Sequence, residues 1–254
     1  MRNALQTIAK QTKRLTIAAL AATALLGAGC ANAGVTGINQ MGLMQAAHAD
    51  VIYVHAFDAD AGQVKLDGGL AQKVKMMATG GSSASAQDQT AAEAREQVAS
   101  EIVRELRGMG LNAVRSDAPA PAGANALIVE GDFRKIDEGS GRRRLLIGLG
   151  AGKSEVVADV RISYKPANGA PVSLQSFVAN ADSGHIPGMA ETAGIGAAAG
   201  HVAMAAAGGA GVHGATEMTH DSISADATRL GHSIANQVAA ASTEEGWLSA
   251  SAAR

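Results

Sequence analysis

Arg142, Arg143 and Arg144 stand beside a glycine-rich run, Gly148-Leu149-Gly150-Ala151-Gly152-Lys153-Ser154, and these are the residues whose types and spacing first invite chemistry. The run ends as a phosphate-binding loop ends, with Gly-Lys-Ser. Counting back from Lys153, however, the first glycine of G-x-x-x-x-G-K-[ST] would fall at Ile147. The run also leads into a strand-like alternation, whereas phosphate binding needs a helix whose first N–H groups point at the anion. The spacing G-x-G-x-G likewise fails the dinucleotide pattern. The run therefore reads as a connection between two β segments. The arginines are a stronger feature: from Arg134 to Lys165 eight basic residues face four acidic ones. They suit an anion, whether lipid phosphate, anionic glycan or acidic partner, and they equally suit a solvated hairpin edge kept from pairing by charge.

Cys30 is the single cysteine, so no intrachain disulfide is possible. It follows a basic start (Arg2, Lys10, Lys13, Arg14), an uncharged apolar run from Leu15 to Leu26, and the small residues Gly27, Ala28 and Gly29. This is the build of a secretory signal, and the apolar run is too short to cross a bilayer. Leu26-Gly27-Ala28-Gly29-Cys30 resembles a bacterial lipobox, which makes Cys30 the expected lipidation site. Gly27 stands where an aliphatic residue is usual. The competing route is ordinary cleavage at Ala31-Asn32-Ala33, which would release a soluble periplasmic or secreted protein beginning at Gly34.

The seven histidines are scattered, none paired at the i, i+4 spacing of a helical zinc site. No serine lies in G-x-S-x-G, and Asp58, Asp60 and Asp67 lack the spacing of a calcium loop. No catalytic residue, metal ligand or cofactor is expected. Loss of the four basic leader residues takes the net charge from -2 to -6, which argues against nucleic acid as a partner.

The elements that must hold these residues follow from periodicity. Val51 to Phe57 is an apolar, β-branched and aromatic run, as a buried strand is. Leu66, Leu70, Val74 and Met77 suggest a short helix, and Gly80 to Gln89 a loop. Thr90 and Glu93 form an S/T-x-x-E box opening a helix to Met109, with Ala91, Ala94, Val98, Ile102, Leu106 and Met109 as its stripe and Gly110 as its stop. Leu111 to Arg115 reads as a short strand. Ala126 to Ile136, Glu155 to Tyr164 and Pro171 to Ala181 read as successive antiparallel strands. Leu127, Val129 and Phe133 face inward on the first, with Glu130, Asp132 and Arg134 outward, and Glu155, Asp159, Arg161 and Ser163 face outward on the second. A last helix spans Ser222 to Ala241, with Ile223, Ala227, Leu230, Ile234 and Val238 on one side.

The fold class is α+β: an antiparallel sheet with helices on one face, plus a Gly/Ala-rich helical segment before the C-terminal helix. The expected division is a signal peptide over 1–29, a lipid-anchored tether over 30–49, and a core domain over 50–184. A Gly/Ala-rich segment over 185–216, a helix packing on the core over 217–243 and a tail over 244–254 follow. Residues 192–212 carry no formal charge, yet alanine and glycine gain little on leaving water, so a packing segment is favoured over a membrane span.

Four stretches carry a resemblance: residues 60–66 (DAGQVKL), 104–111 (RELRGMGL), 143–156 (RRLLIGLGAGKSEV) and 181–184 (ADSG). On these the chain resembles the bacterial envelope proteins grouped as domain of unknown function 4410, over roughly residues 50 to 240. The resemblance implies an exported, often lipid-anchored α+β protein without established catalytic residues. The resulting expectation is a cell-envelope lipoprotein at the periplasmic face of the outer membrane, acting as a non-enzymatic binding or scaffold module. Ala31 after the cysteine favours that membrane, since an aspartate there would retain the protein at the inner one. Its partners are the membrane through the lipid anchor and an envelope protein or anionic lipid or glycan. The alternatives are a periplasmic enzyme on a glycan or peptide, and a membrane-inserting oligomer built on the Gly/Ala-rich segment.

Overall fold

A computed structural model of the chain describes residues 31–41, 48–69, 81–147, 150–184 and 212–248. They form a seven-stranded sheet and three helices. The strands are β1 (Asn32–Gln40), β2 (Val51–Val54), β3 (Val64–Lys65), β4 (Ala113–Arg115), β5 (Ala126–Asp137), β6 (Glu155–Lys165) and β7 (Val172–Asp182). The helices are α1 (Ser83–Gly108), α2 (Gly141–Leu146) and α3 (Val212–Glu244). The order across the sheet is β1-β7-β6-β5-β2-β4, with β3 paired to the far end of β5.

The α+β class holds, with a sheet that is mostly antiparallel but mixed: β2 runs parallel to both β4 and β5, and β3 parallel to β5. The chain returns to the same end of the sheet between these strands, through α1 in one case, so pairing them antiparallel is not open to it. Strands β5, β6 and β7 match their predicted limits to within a residue, because their alternation reports a sheet with one wet face. Phe133 and Ile136, three apart, are both buried. A bulge between Phe133 and Lys135 inserts Arg134 as the extra residue and resets the inward phase.

Helix α1 begins earlier than Thr90. Ser82 is the N-cap, accepting the Ser85 N–H at 3.1 Å, while the Thr90 hydroxyl donates to Ala86 O inside the helix at 2.9 Å. The extra turns carry small polar residues with no apolar stripe, so only the cap marks them. The stripe itself packs as expected: Ala91, Ala94, Val98, Ile102 and Leu106 are buried. Met109, the C-cap, is exposed instead, and Gly110 follows at φ 83°. Helix α3 lies against α1. Gln97 Nε2 donates to Ser224 O at 2.9 Å and to Thr228 Oγ1 at 3.1 Å, and a Cβ on Gly231 would sit 2.7 Å from that of Glu101. Ala227, Leu230, Ile234 and Val238 of α3 join the sheet residues and α1 in one core. Burial of each of the larger side chains, Leu230, Ile234 and Val238, is worth about 1.5–3 kcal/mol.

Two expectations at the ends are corrected. Residues 32–40, read as tether, form an edge strand antiparallel to β7. Most of β1 is exposed, and it is held by backbone pairing that its glycine-rich sequence does not advertise. The expected tail contributes Trp247, which is buried in the core, with its carbonyl accepting the Ala49 N–H at 2.8 Å. Cys30, most of the helix expected around Leu70 to Met77, and residues 185–211 of the Gly/Ala-rich segment lie outside the described residues. Residues 212–216 already belong to α3, which starts ten residues before Ser222. Among the described residues no helix is long and apolar enough to cross a membrane.

Candidate functional site

The outward side chains of β5 and β6 form the floor of an open polar hollow of about 850 Å³ on the face of the sheet opposite the core. Alternation dictates this: with Leu127, Val129 and Phe133 turned inward, Glu130, Asp132 and Arg134 must face out. Across the strand boundary Glu130 lies opposite Arg161 and Asp132 opposite Asp159, while Asp58 bridges Asp132 from the other side. Three aspartates therefore share one row, an arrangement that repels unless cations intervene. Arg134 Nε reaches Asp159 at 2.5 Å, Arg95 reaches Asp58 at 3.5 Å, and Arg161 reaches Glu130 at 3.5 Å. The hydrogen bond and charge of Asp159 hold the Arg134 guanidinium above its ordinary pKa. Asp132 makes no ion pair among the described residues.

His55, Ala56 and Asp117 form the rim. Arg115 grips Asp117 through two bonds, of 2.7 and 2.8 Å, and Ala56 N–H donates to the same carboxylate at 3.0 Å. The Arg115 hydrogen bond first, and the backbone N–H second, hold the Asp117 carboxyl down at about 2. His55 is half-buried, and its Nε2 has no hydrogen-bond partner among the described residues. Five carboxylates, three arginines and a histidine thus line the hollow. Such a surface suits a polar partner that carries both charges and can exchange the internal pairs for its own. No group of His, Cys, Asp and Glu able to hold a metal occurs among the described residues.

Gly131 makes the hollow compatible with the core beneath it. A Cβ there would lie 2.5 Å from Asp159 O and 2.6 Å from the Phe57 ring. Lacking one, Gly131 lets Phe57 tuck under β5 against Phe133, with ring centroids 5.9 Å apart.

Arg142, Arg143 and Arg144 lie elsewhere, on α2 in the long β5–β6 connection, so the edge expected to be a bare hairpin carries a helical turn. Arg142 and Arg143 are exposed, and neither makes an ion pair among the described residues; the side chain of Arg144 lies outside them. Gly139, Gly150 and Gly152, at φ 73°, 77° and 77°, serve the turn. A Cβ on Gly139 would lie 2.4 Å from both Gly152 O and Lys153 O, so the base of the connection closes backbone on backbone. Lys153, which would serve a phosphate in the rejected loop reading, binds Asp182 at 2.9 Å. Asp67 accepts the Gly141 N–H at 3.1 Å, and Glu138 in turn accepts the Asp67 N–H at 2.8 Å. Beside this base Asp226 of α3 is fully buried and paired with Arg229. Burial pushes its pKa up, against the opposing pull of Ser154 and Arg229.

Sequence reasoning placed Glu130, Asp132, Arg134, Asp159 and Arg161 on the wet face but did not unite them with His55, Asp58, Arg95 and Asp117. Those four come from loops and a helix distant in sequence, and no local pattern connects them.

The domain of unknown function DUF4410 matches residues 52–200 of the chain, more than half of it. The PelC dodecamer from Paraburkholderia phytofirmans is similar at 11% identity and a TM-score of 0.33, over 80% of this chain and 95% of that one. A point variant of the same dodecamer is similar at 11% identity and a TM-score of 0.30, over 81% and 94%. No curated protein matches the chain.

Proposed function

The chain belongs to the DUF4410 family, and within it we propose an exported cell-envelope lipoprotein. It is anchored through Cys30 at the periplasmic face of the outer membrane and acts as a non-enzymatic binding module. The observation that carries the reading is the start of β1. Asn32 pairs with Asp182 and Ala33 with Ala181. Cleavage after Ala33 would strip both pairs from the sheet, whereas cleavage before Cys30 leaves the strand whole. The leader's basic start and short apolar run support export, which both routes require. Binding is supported by the polar hollow, whose arginines are held by carboxylates in a fixed pattern that a partner segment of mixed charge can read.

Palmitate labelling in intact cells tests the anchor. Label entering the wild type but not Cys30→Ala, with the wild type in the outer-membrane fraction, is the expected result. A mature N-terminus at Gly34 would end the lipoprotein reading.

A further inference from the structure

Four paired residues fix one end of the sheet: Asn32 with Asp182, Asp182 with Glu155, and Glu155 with Asp137. The connection that carries α2 leaves β5 after Asp137 and re-enters at Glu155, so it emerges from this same end. Only Ala31 separates Asn32 from Cys30, and two residues of extended chain span at most about 7 Å. Strands β1 and β5 are three strand spacings apart, or about 14 Å. An acyl group on Cys30 and the α2 turn therefore share one end of the domain, with no tether to let it swing away.

The surface of that end divides by depth. Its carboxylates are spent close to the sheet: Asp137 is met by Lys65 at 3.3 Å, Glu155 by Lys135 at 2.7 Å and Asp182 by Lys153 at 2.9 Å. Out on the turn, Arg142 and Arg143 are exposed without ion pairs among the described residues. Leu146 and Ile147 are 58% and 52% exposed, and they are adjacent large aliphatic residues. Guanidinium groups beside aliphatic side chains are the composition that settles at a phospholipid surface, the charges on phosphates and the aliphatics among acyl chains.

Resting on the lipoprotein reading above, we propose that the α2 turn is a second membrane contact. Arg142 and Arg143 bind phosphates of anionic phospholipid, Leu146 and Ile147 enter the acyl region, and the domain stands on this end with the sheet's far end away from the bilayer. The lipid on Cys30 supplies retention, and the turn fixes orientation.

Acylation consumes the only native thiol, so a cysteine introduced elsewhere can be labelled alone. The test uses the purified, lipidated chain in vesicles of equimolar phosphatidylethanolamine and phosphatidylglycerol, carrying an environment-sensitive fluorophore at Leu146→Cys, Ile147→Cys or Val172→Cys. Val172 is also exposed and lies ten residues along β7 from Asp182, about 33 Å away. The expected result is a blue shift and loss of most emission to acyl-chain nitroxide lipid at 146 and 147, with neither at 172. Combining Leu146→Cys with Arg142→Ala and Arg143→Ala weakens docking by about 25-fold, from about fivefold per arginine near an anionic surface. Acyl mass on the protein with no quenching at 146 or 147 overturns this proposal alone, as does equal quenching at 172. A protein without acyl mass whose Cys30 thiol takes the label overturns the lipoprotein reading and this proposal with it.

Discussion

Replacing Gly131 by alanine adds a single methyl group where the sheet has no room for it. The new carbon would lie 2.5 Å from Asp159 O and 2.6 and 2.8 Å from two carbons of the Phe57 ring. Carbon atoms pack at about 3.5–4.0 Å, so each ring contact is short by roughly 1 Å. The ring can tilt, but the carbonyl belongs to β6 and moves only if the β5–β6 ladder opens. Overpacking of this kind costs about 1–3 kcal/mol, and a rigid backbone obstacle places Gly131→Ala near the upper value. Reduced freedom of the unfolded chain returns about 0.4–1 kcal/mol, leaving a net loss of about 2 kcal/mol. For a domain of this size that lowers Tm by about 4–8 °C. Gly108→Ala is the control: at the end of α1, with nothing within 4 Å of the added carbon, it should raise Tm by a few degrees. Circular-dichroism melts of the purified protein read both. Adding Phe57→Leu to Gly131→Ala should recover part of the loss, a coupling above about 0.5 kcal/mol. A Gly131→Ala protein melting at or above wild type would refute the packing argument, because nothing else in the site compensates for the contact with Asp159 O.

Asp226 is fully buried with a raised pKa, so the stability it contributes is complete below the unfolded aspartate value of about 3.9 and is lost as pH rises through its folded value. Urea titrations of wild type and Asp226→Asn should show the variant gaining on wild type from pH 3 to 7, by about 1.4 kcal/mol for each tenfold difference in proton affinity between the folded and unfolded chain, whereas a constant difference would contradict it. Trp247→Ala should cost about 3–5 kcal/mol in the same titrations, because Trp247 is part of the core, and a loss below about 1 kcal/mol would return it to the tail. Arg134→Ala breaks a half-exposed ion pair and should change stability by less than about 1 kcal/mol. A larger loss would mean that repulsion along the Asp58, Asp132 and Asp159 row is a main determinant of the fold.

What could be read in advance depended on whether side chains or backbone hold an element. Strands β5, β6 and β7 and the stripe of α1 announce themselves because burial writes a period of 2 or 3.6 into their residues. The first strand does not. Of its nine residues only Gly34 and Val35 are even partly buried, and pairing with β7 needs no pattern beyond an available backbone. The parallel neighbours of β5 were hidden for a related reason: Val51–Val54 shows that it is buried, but not in which direction its neighbour runs. For the hollow, the outward charges of β5 and β6 were legible. The rim was not, since Asp117 is fixed by Ala56 across 61 residues of chain and by Arg115 in a short edge strand.

Because Asn32 meets Asp182, the earliest strand waits for the latest one. A polypeptide emerging N-terminus first presents this edge before its complement exists, and some 150 positions must follow before the ladder can zip. Such non-local closure slows folding. The delay leaves the opening strand without its partner until residues 172–182 have appeared, and a truncation anywhere before residue 172 leaves it permanently widowed.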